Sequence, residues 1–187
     1  RQRLIGEAEF VPVQNQYGGF VYAGATMAFT TAYWVLGHYN PREIAFLGCD
    51  MSYPKSSKTH FYGTGTADPL REDITLISLE AKAARLYALA LAQGCEITNL
   101  SQETSRLIAP RRSLLEPRPK PFKIDKVQKA HALAREQELA YYVASGRYWE
   151  ELERFDIKQI KRLDALWSTV VIAPPQGAVA PMLSHWI

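Results

Sequence analysis

The sequence predicts an α/β chain: a Rossmann-like, mostly parallel sheet with flanking helices, followed by a C-terminal helical hairpin. Three observations lead to that expectation. An apolar helix pattern over residues 24–36 runs into an apolar strand at 44–49, and a second helix, opened by Ser78 and closed by Gly94, runs into a short strand at 96–100. The order helix, strand, helix, strand implies a right-handed crossover and parallel pairing. Beyond residue 124 two amphipathic patterns follow one another, as in a pair of packed helices.

Taken in order, residues 10–13 give a short β-like piece, with Pro12 arguing against a central strand. Tyr17-Gly18-Gly19 permits a tight turn. The run ATMAFTTAYWVL has no internal glycine or proline and is apolar on most sides, as a buried helix is, and Gly37 supplies its stop. Pro41 biases Asn40 away from helical angles, so 38–41 is a turn. The strand at 44–49 is continuously apolar rather than alternating, the pattern of a central strand covered on both faces. Residues 63–69 are turn-rich. Ser78 caps the next helix with Glu80 in its first turn, Leu79, Ala83, Leu86 and Ala90 form its apolar face, and Gly94 ends it.

From Arg106 to Pro121 the chain holds four prolines and five basic residues, the composition of an extended connector. The expected organisation is an α/β domain over 1–109, a connector over 110–123, and a helical hairpin with its tail over 124–187. In the hairpin one helix spans 124–145 with Gly146 as its stop, and the second spans 148–167 with Leu152, Phe155, Ile160, Leu163 and Leu166 on its apolar side. The tail over 170–177 is expected to give one short strand and a loose end.

Composition excludes several classes. At 187 residues and 47% hydrophobic content the chain suits one ordinary domain core. Its 22 basic residues are offset by 19 acidic ones and not gathered in an arm, so no nucleic-acid partner is expected. Two cysteines, Cys49 and Cys95, read as buried structural thiols in a reducing compartment. No apolar run approaches a membrane span and no signal-peptide pattern opens the chain, so a cytoplasmic protein is expected. A start at Arg1 rather than Met is expected of a processed, trimmed or partial polypeptide.

Open α/β sheets place ligands beyond the carboxyl ends of their strands. That directs attention to 43–63, EIAFLGCDMSYPKSSKTHFYG, where a strand ends in Gly48-Cys49-Asp50 and a polar loop follows. His60 has the one side chain there whose ordinary pKa, about 6.5, suits a general base at neutral pH. Set against this is a histidine that simply bonds a loop carbonyl. Tyr53 and Tyr62 can donate to a phosphate and Lys58 can add charge, with plain packing as the alternative for each. Asp50 is able to hold a ligand hydroxyl or to accept from loop amides. Gly24 and Thr26, opening a helix, can present free amides to an anion. No dinucleotide fingerprint, phosphate loop or serine elbow is present, and the four histidines lack metal-ligand spacing, so neither a metal nor another cofactor is expected.

Several of these residues together resemble a known family. REIAFLGCD is similar to the strand end of the bacterial sialyltransferases with a Rossmann-like domain, and of the related domain found in flagellin-modifying accessory factors and archaeal hydroxymethylpterin pyrophosphokinases. Thr59-His60-Phe61-Tyr62-Gly63 resembles the histidine segment that follows, and EITNLS with Ser105-Arg106-Leu107 resembles the later strand and its serine; the likeness covers about 18–107. It implies a metal-independent, inverting transfer from a CMP-activated, sialic-acid-like sugar to an acceptor hydroxyl. His60 is then the base, Tyr53, Lys58 and Tyr62 steady the leaving phosphate, and Gly48 and Asp50 line the nucleotide, with Gly24 and Thr26 at the helix opening expected to bind it as well. Two other readings stand beside it. One is magnesium-dependent pyrophosphate transfer from ATP. The other is a non-catalytic module that forms a homo-oligomer through the aromatic hairpin, with Tyr141, Tyr142, Tyr148 and Trp149.

Overall fold

The computed structural model describes residues 7–51 and 73–173. The chain opens with α1 (Glu7–Gln16), where a β-like piece was expected. Pro12 lies inside it, and packing on the next long helix outweighs the lost hydrogen bond: Phe10 stacks on Trp34 with ring centroids 5.5 Å apart, and Gln14 Nε2 donates to the Thr30 carbonyl at 2.6 Å. The chain then reverses through Gly18 and Gly19, at φ +88° and +81°, into the single-turn helix α2 (Phe20–Ala23).

Thr26 caps α3 (Met27–Tyr39), its hydroxyl accepting from Phe29 N at 3.3 Å. Gly37 does not stop this helix, which continues to Asn40 in the left-handed region. The glycine serves a helix crossing instead: a Cβ there would lie 2.7 Å from Val13 Cγ1 and 3.0 Å from the Tyr17 ring.

After α3 comes β1 (Glu43–Phe46), and after the long connection come α4 (Leu79–Ala92) and β2 (Glu96–Asn99). Ser78 caps α4 by accepting from Ala81 N at 3.2 Å, and Gly94 turns the chain at φ +78°. The two strands pair in parallel from Glu43↔Glu96 to Phe46↔Asn99, as the element order implied. Regular pairing in β1 ends at Phe46, short of the expected residue 49, because Gly48 turns away at φ +72°. Helices α3 and α4 cover one face of the pair, with Phe29, Tyr33, Leu36, Leu86 and Ala90 packed around Phe46 and Ile97. The opposite face is covered only in part, not throughout as the apolar run suggested: Thr98 is buried, while Ala45 across from it is exposed and Leu47 is 77% exposed. The architecture is mixed helix and strand, with a two-stranded parallel sheet among the described residues.

The connector is partly built into the core. Leu107 and Ala109 are buried, Arg111 bridges to Asn99 beside β2, and Asn99 N donates to the Pro110 carbonyl at 2.9 Å. A two-residue strand β3 (Lys123–Ile124) then precedes α5 (Lys126–Leu139), capped by Asp125. That helix ends at Ala140, φ +51°, several residues before Gly146. Short 3-10 turns at Tyr148–Glu150 and Leu152–Arg154 fill the interval, so the second helix of the pair is α6 (Ile157–Ser168), capped by Asp156. Strand β4 (Val171–Ile172) closes antiparallel on β3.

Ile160, Leu163 and Trp167 of α6 and Ala132 of α5 share a buried cluster with Val21, Tyr22, Ala81 and Ala88. Phe155 and Leu163, two of the residues expected on the apolar side of the second hairpin helix, are buried within this chain. No helix among the described residues is long and apolar enough to cross a membrane.

One polar node joins these layers. Arg85 grips Glu136 through Nε to Oε1 at 2.6 Å and Nη2 to Oε2 at 2.8 Å, and donates as well to Tyr33 Oη and the Tyr17 carbonyl. Glu136 Oε1 also accepts from Trp167 Nε1 at 2.7 Å, and the Glu136 carbonyl accepts from Tyr22 Oη. Burial pushes the Tyr22 and Tyr33 phenols up to about 12, so both remain neutral, Tyr22 donating to the Glu136 carbonyl and Tyr33 accepting from Arg85. Removing one partner of such a pair strands the other charge, which typically costs about 3–5 kcal/mol. Glu136→Gln is expected to lower the unfolding free energy by about that much in urea titrations, while Arg85→Met/Glu136→Leu recovers at least half of the loss. A loss under about 1 kcal/mol for the single variant would contradict the node's role.

Beside it, Lys82 Nζ donates to the Val21 carbonyl at 2.8 Å and lies 3.9 Å from Asp164. Burial pushes the Asp164 carboxyl above its ordinary value and pulls the Lys82 ammonium below its own, and Asp164 Oδ2 accepts no hydrogen bond from the described residues. The folded state thus holds the Asp164 proton more tightly than the unfolded chain does. This contribution is whole below the unfolded carboxyl pKa of about 4 and is lost as pH rises through the higher folded value. Stability of Asp164→Asn relative to wild type should therefore improve as pH climbs from about 4 towards neutrality; a difference that stays constant in denaturation series across that window would sink the assignment.

Candidate functional site at the strand carboxyl ends

The segments leaving β1 and β2 are laced together by side chains. Ser101 Oγ accepts from Gly48 N at 3.0 Å. Asn99, fully buried, accepts from Ser101 N at 2.9 Å through Oδ1 and donates from Nδ2 to Ser105 Oγ at 3.0 Å. Ser105 Oγ accepts in turn from Leu107 N at 3.2 Å. Arg106 N donates to the Asp50 carbonyl at 2.9 Å, and its Nη1 donates to the Met51 carbonyl at 3.2 Å. Every polar side-chain atom of Asn99 is used, so the ends of the two strands form a fixed frame.

Both long helices present their amino-terminal turns at this end. Phe29, in the first turn of α3, meets Phe46 at the end of β1 with centroids 6.2 Å apart. Glu80, in the first turn of α4, accepts from Arg106 Nε at 2.6 Å. The positive ends of two helix dipoles thus lie beside the strand ends, an environment that favours negative charge.

Of the residues singled out from the sequence, Gly48 and Asp50 stand at this end of β1. Gly24 and Thr26 lead into α3 and also have structural uses: a Cβ on Gly24 would lie 2.3 Å from the Phe20 carbonyl oxygen, and the Thr26 hydroxyl is the α3 cap. Tyr53, Lys58, His60 and Tyr62 lie outside the described residues. The described chain stops at Met51, in the frame, and resumes at Asp73, whose carboxylate caps the 3-10 turn Ile74–Leu76 and accepts from Tyr148 Oη at 2.8 Å. Reasoning from single residues passed over Asn99, Ser101 and Glu80. The available signal was Asn-x-Ser followed by Ser105 directly after a strand, a polar cluster where an apolar strand should simply end.

Neither thiol is poised to react. Burial raises the Cys49 thiol above its ordinary range and pushes Cys95 up to about 11. Among the described residues no group of three or more His, Cys, Asp or Glu side chains could hold a metal.

A groove of about 620 Å³ opens at the other end of α4, between Tyr17, Tyr22, Leu89, Leu133, Gln93 and Tyr142. Its floor is the Arg85–Glu136 pair, whose charges already satisfy one another, and Gln93 Oε1 is taken by Tyr17 Oη at 2.9 Å. Size alone does not make it the site; the strand ends have the helix dipoles and the carboxyl-end position. No family model, curated protein or solved structure matches the chain.

Replacing Asn99 by alanine leaves buried donors and acceptors at Ser101 and Ser105 unmatched, at about 1–3 kcal/mol. Asn99→Ala is expected to lower the thermal midpoint by several degrees, read by circular dichroism, whereas Gln102→Ala on the exposed side of the same loop leaves it unchanged. Equal midpoints for Asn99→Ala and wild type would show that the frame does not depend on it.

Proposed function

We propose that the carboxyl ends of β1 and β2 form the donor site of a Rossmann-like transferase, which moves a sugar from a CMP-activated donor to an acceptor hydroxyl with His60 as general base. One observation carries the reading. The ends of two parallel strands, locked by Asn99, Ser101 and Ser105, share one end of the fold with the amino-terminal turns of α3 and α4. The segment bearing His60, Tyr53, Lys58 and Tyr62 departs from that same end. The resemblance of REIAFLGCD and THFYG to the bacterial sialyltransferases supplies the chemistry.

In that chemistry His60 removes the proton of the acceptor hydroxyl as its oxygen attacks the anomeric carbon from the face opposite the donor phosphate. The bond between the anomeric carbon and the phosphate oxygen breaks, and the phosphate of CMP leaves with the electron pair. Tyr53 and Tyr62 donate to it and the Lys58 ammonium offsets its charge, which removes the need for a metal.

Calorimetric titration with CMP, CDP, UDP and ATP, with and without magnesium, tests the site. Saturable CMP binding that is indifferent to magnesium is expected, with Tyr62→Phe weakening it. His60→Ala should retain CMP binding while slowing transfer from a CMP-sugar by about 10²–10⁴-fold. Wild-type transfer should fall off below a pH near the ordinary histidine value of about 6.5. Selective, magnesium-dependent ATP binding, or no nucleotide binding at millimolar concentration, would overturn the proposal.

A further inference from the structure

Between Arg112 and Arg118 the chain makes a tight turn that holds two leucines away from the protein. Glu116 N donates to the Ser113 carbonyl at 3.3 Å, and Ser113 N donates back to Glu116 Oε2 at 2.6 Å. Arg112 tightens the turn from below, its Nη1 lying 3.3 Å from the carbonyl oxygens of Ser113 and Leu114 and 3.4 Å from that of Glu116. Its Nη2 anchors the turn to the sheet through Glu43 Oε1 at 2.7 Å. Donors from Arg112 and Thr98 outweigh the effect of burial and hold the Glu43 carboxyl below its ordinary value, so the anchor stays charged. At the tip of this braced turn Leu114 is 74% exposed and Leu115 is 96% exposed. The braced turn thus presents two adjacent apolar side chains at a fixed tip.

The surroundings are cationic. Residues 111–120 hold Arg111, Arg112, Arg118 and Lys120 against the single acid Glu116, whose carboxylate is already bonded to Ser113 N. Arg118 and Lys120 are exposed, and Arg118 also pairs with Glu96 at 3.4 Å at the solvent-facing surface. Two leucines supply a small part of the roughly 1,200 Å² that a stable protein interface buries. Shallow insertion of a few apolar side chains flanked by basic ones does suffice for an anionic lipid surface, where each basic group adds about 1 kcal/mol.

We propose that the 113–116 turn docks this chain on an anionic bilayer surface, with Leu114 and Leu115 entering the interfacial layer and Arg118 and Lys120 against lipid phosphates. The inference rests on the turn alone and does not need the transferase reading.

Co-sedimentation of the full chain with vesicles of phosphatidylcholine, and of phosphatidylcholine with about one third phosphatidylglycerol, tests it. Wild type should pellet with the anionic vesicles alone and be released by salt. Leu114→Ser/Leu115→Ser should weaken binding by at least about tenfold, and Arg118→Ser and Lys120→Ser by about fivefold each. All four positions are exposed, so melting by circular dichroism should stay at the wild-type midpoint. Absence of binding, equal binding to neutral vesicles, or binding indifferent to the leucine pair would overturn the proposal. So would sedimentation showing a self-association that the serine pair abolishes, since the leucines would then cover one another.

Discussion

The buried pairing of Arg85 with Glu136 is the constraint on which the rest of the structure depends. Arginine and glutamate are brought out of water only where every strong donor and acceptor finds a partner, because the desolvation penalty of each ion is several kcal/mol. Here the partners come from around the pair: the Tyr17 carbonyl just beyond α1 and Tyr33 of α3 accept from Arg85 of α4, and Tyr22 of α2 and Trp167 of α6 donate to Glu136 of α5. Tyr22, Tyr33 and Trp167 also present ring faces to the guanidinium, with centroids 5.6–5.8 Å from Cζ. Apolar packing alone would allow these helices to slide on one another. The bidentate pair and its directional bonds fix which turn of each helix meets α4.

That registration reaches the strand ends through α4 itself. One end of the helix carries Glu80, which holds Arg106 and so the segment leaving β2; the middle carries Lys82 and Arg85; the far end leads through Gly94 into β2. The helical pair α5–α6 is therefore no detached appendage, since its buried residues are the other half of the environment that sets α4. The groove at the far end of α4 follows from the same arrangement. It exists because bulky aromatic residues gather around the ion pair, and its floor has no free charge to offer a ligand.

How much of this the sequence made legible depends on whether the signal was local. Ser78, Gly94 and the two strand runs acted through neighbouring backbone, and they predicted α4, β1, β2 and their parallel pairing. Pro12 and Gly37 misled because tertiary contacts decided their roles: Phe10 on Trp34 keeps α1 helical through a proline, and the close approach of Val13 and Tyr17 makes Gly37 a crossing point. The apolar run at 44–49 implied cover on both faces, yet one face of the pair is open at Ala45 and Leu47 while Thr98 beside them is buried. Arg85 and Glu136 gave no signal at all, since charged residues on helices ordinarily read as solvated and they lie 51 residues apart. At the candidate site Gly48 and Asp50 were legible as a strand end. Asn99 was not, because its importance lies in bonds to Ser101 and Ser105 that only the fold brings together.

Asn99 also connects the proposed donor site with the proposed docking turn. Its side chain locks the segments that leave the strands, while its backbone N–H and carbonyl pair with Pro110 and Arg112 on the approach to the leucine turn. Arg112 then reaches back to Glu43 at the start of β1, so the turn is fastened at two places to the same pair of strands. A rigid fastening of this kind gives the turn and the strand ends one fixed relative placement. Whatever surface the leucines contact, the strand carboxyl ends are held at a set distance and angle from it. A flexible linker would serve tethering equally well, but it would not set that orientation. The bracing of the 113–116 turn is therefore understandable as a means of aiming the site as well as attaching it.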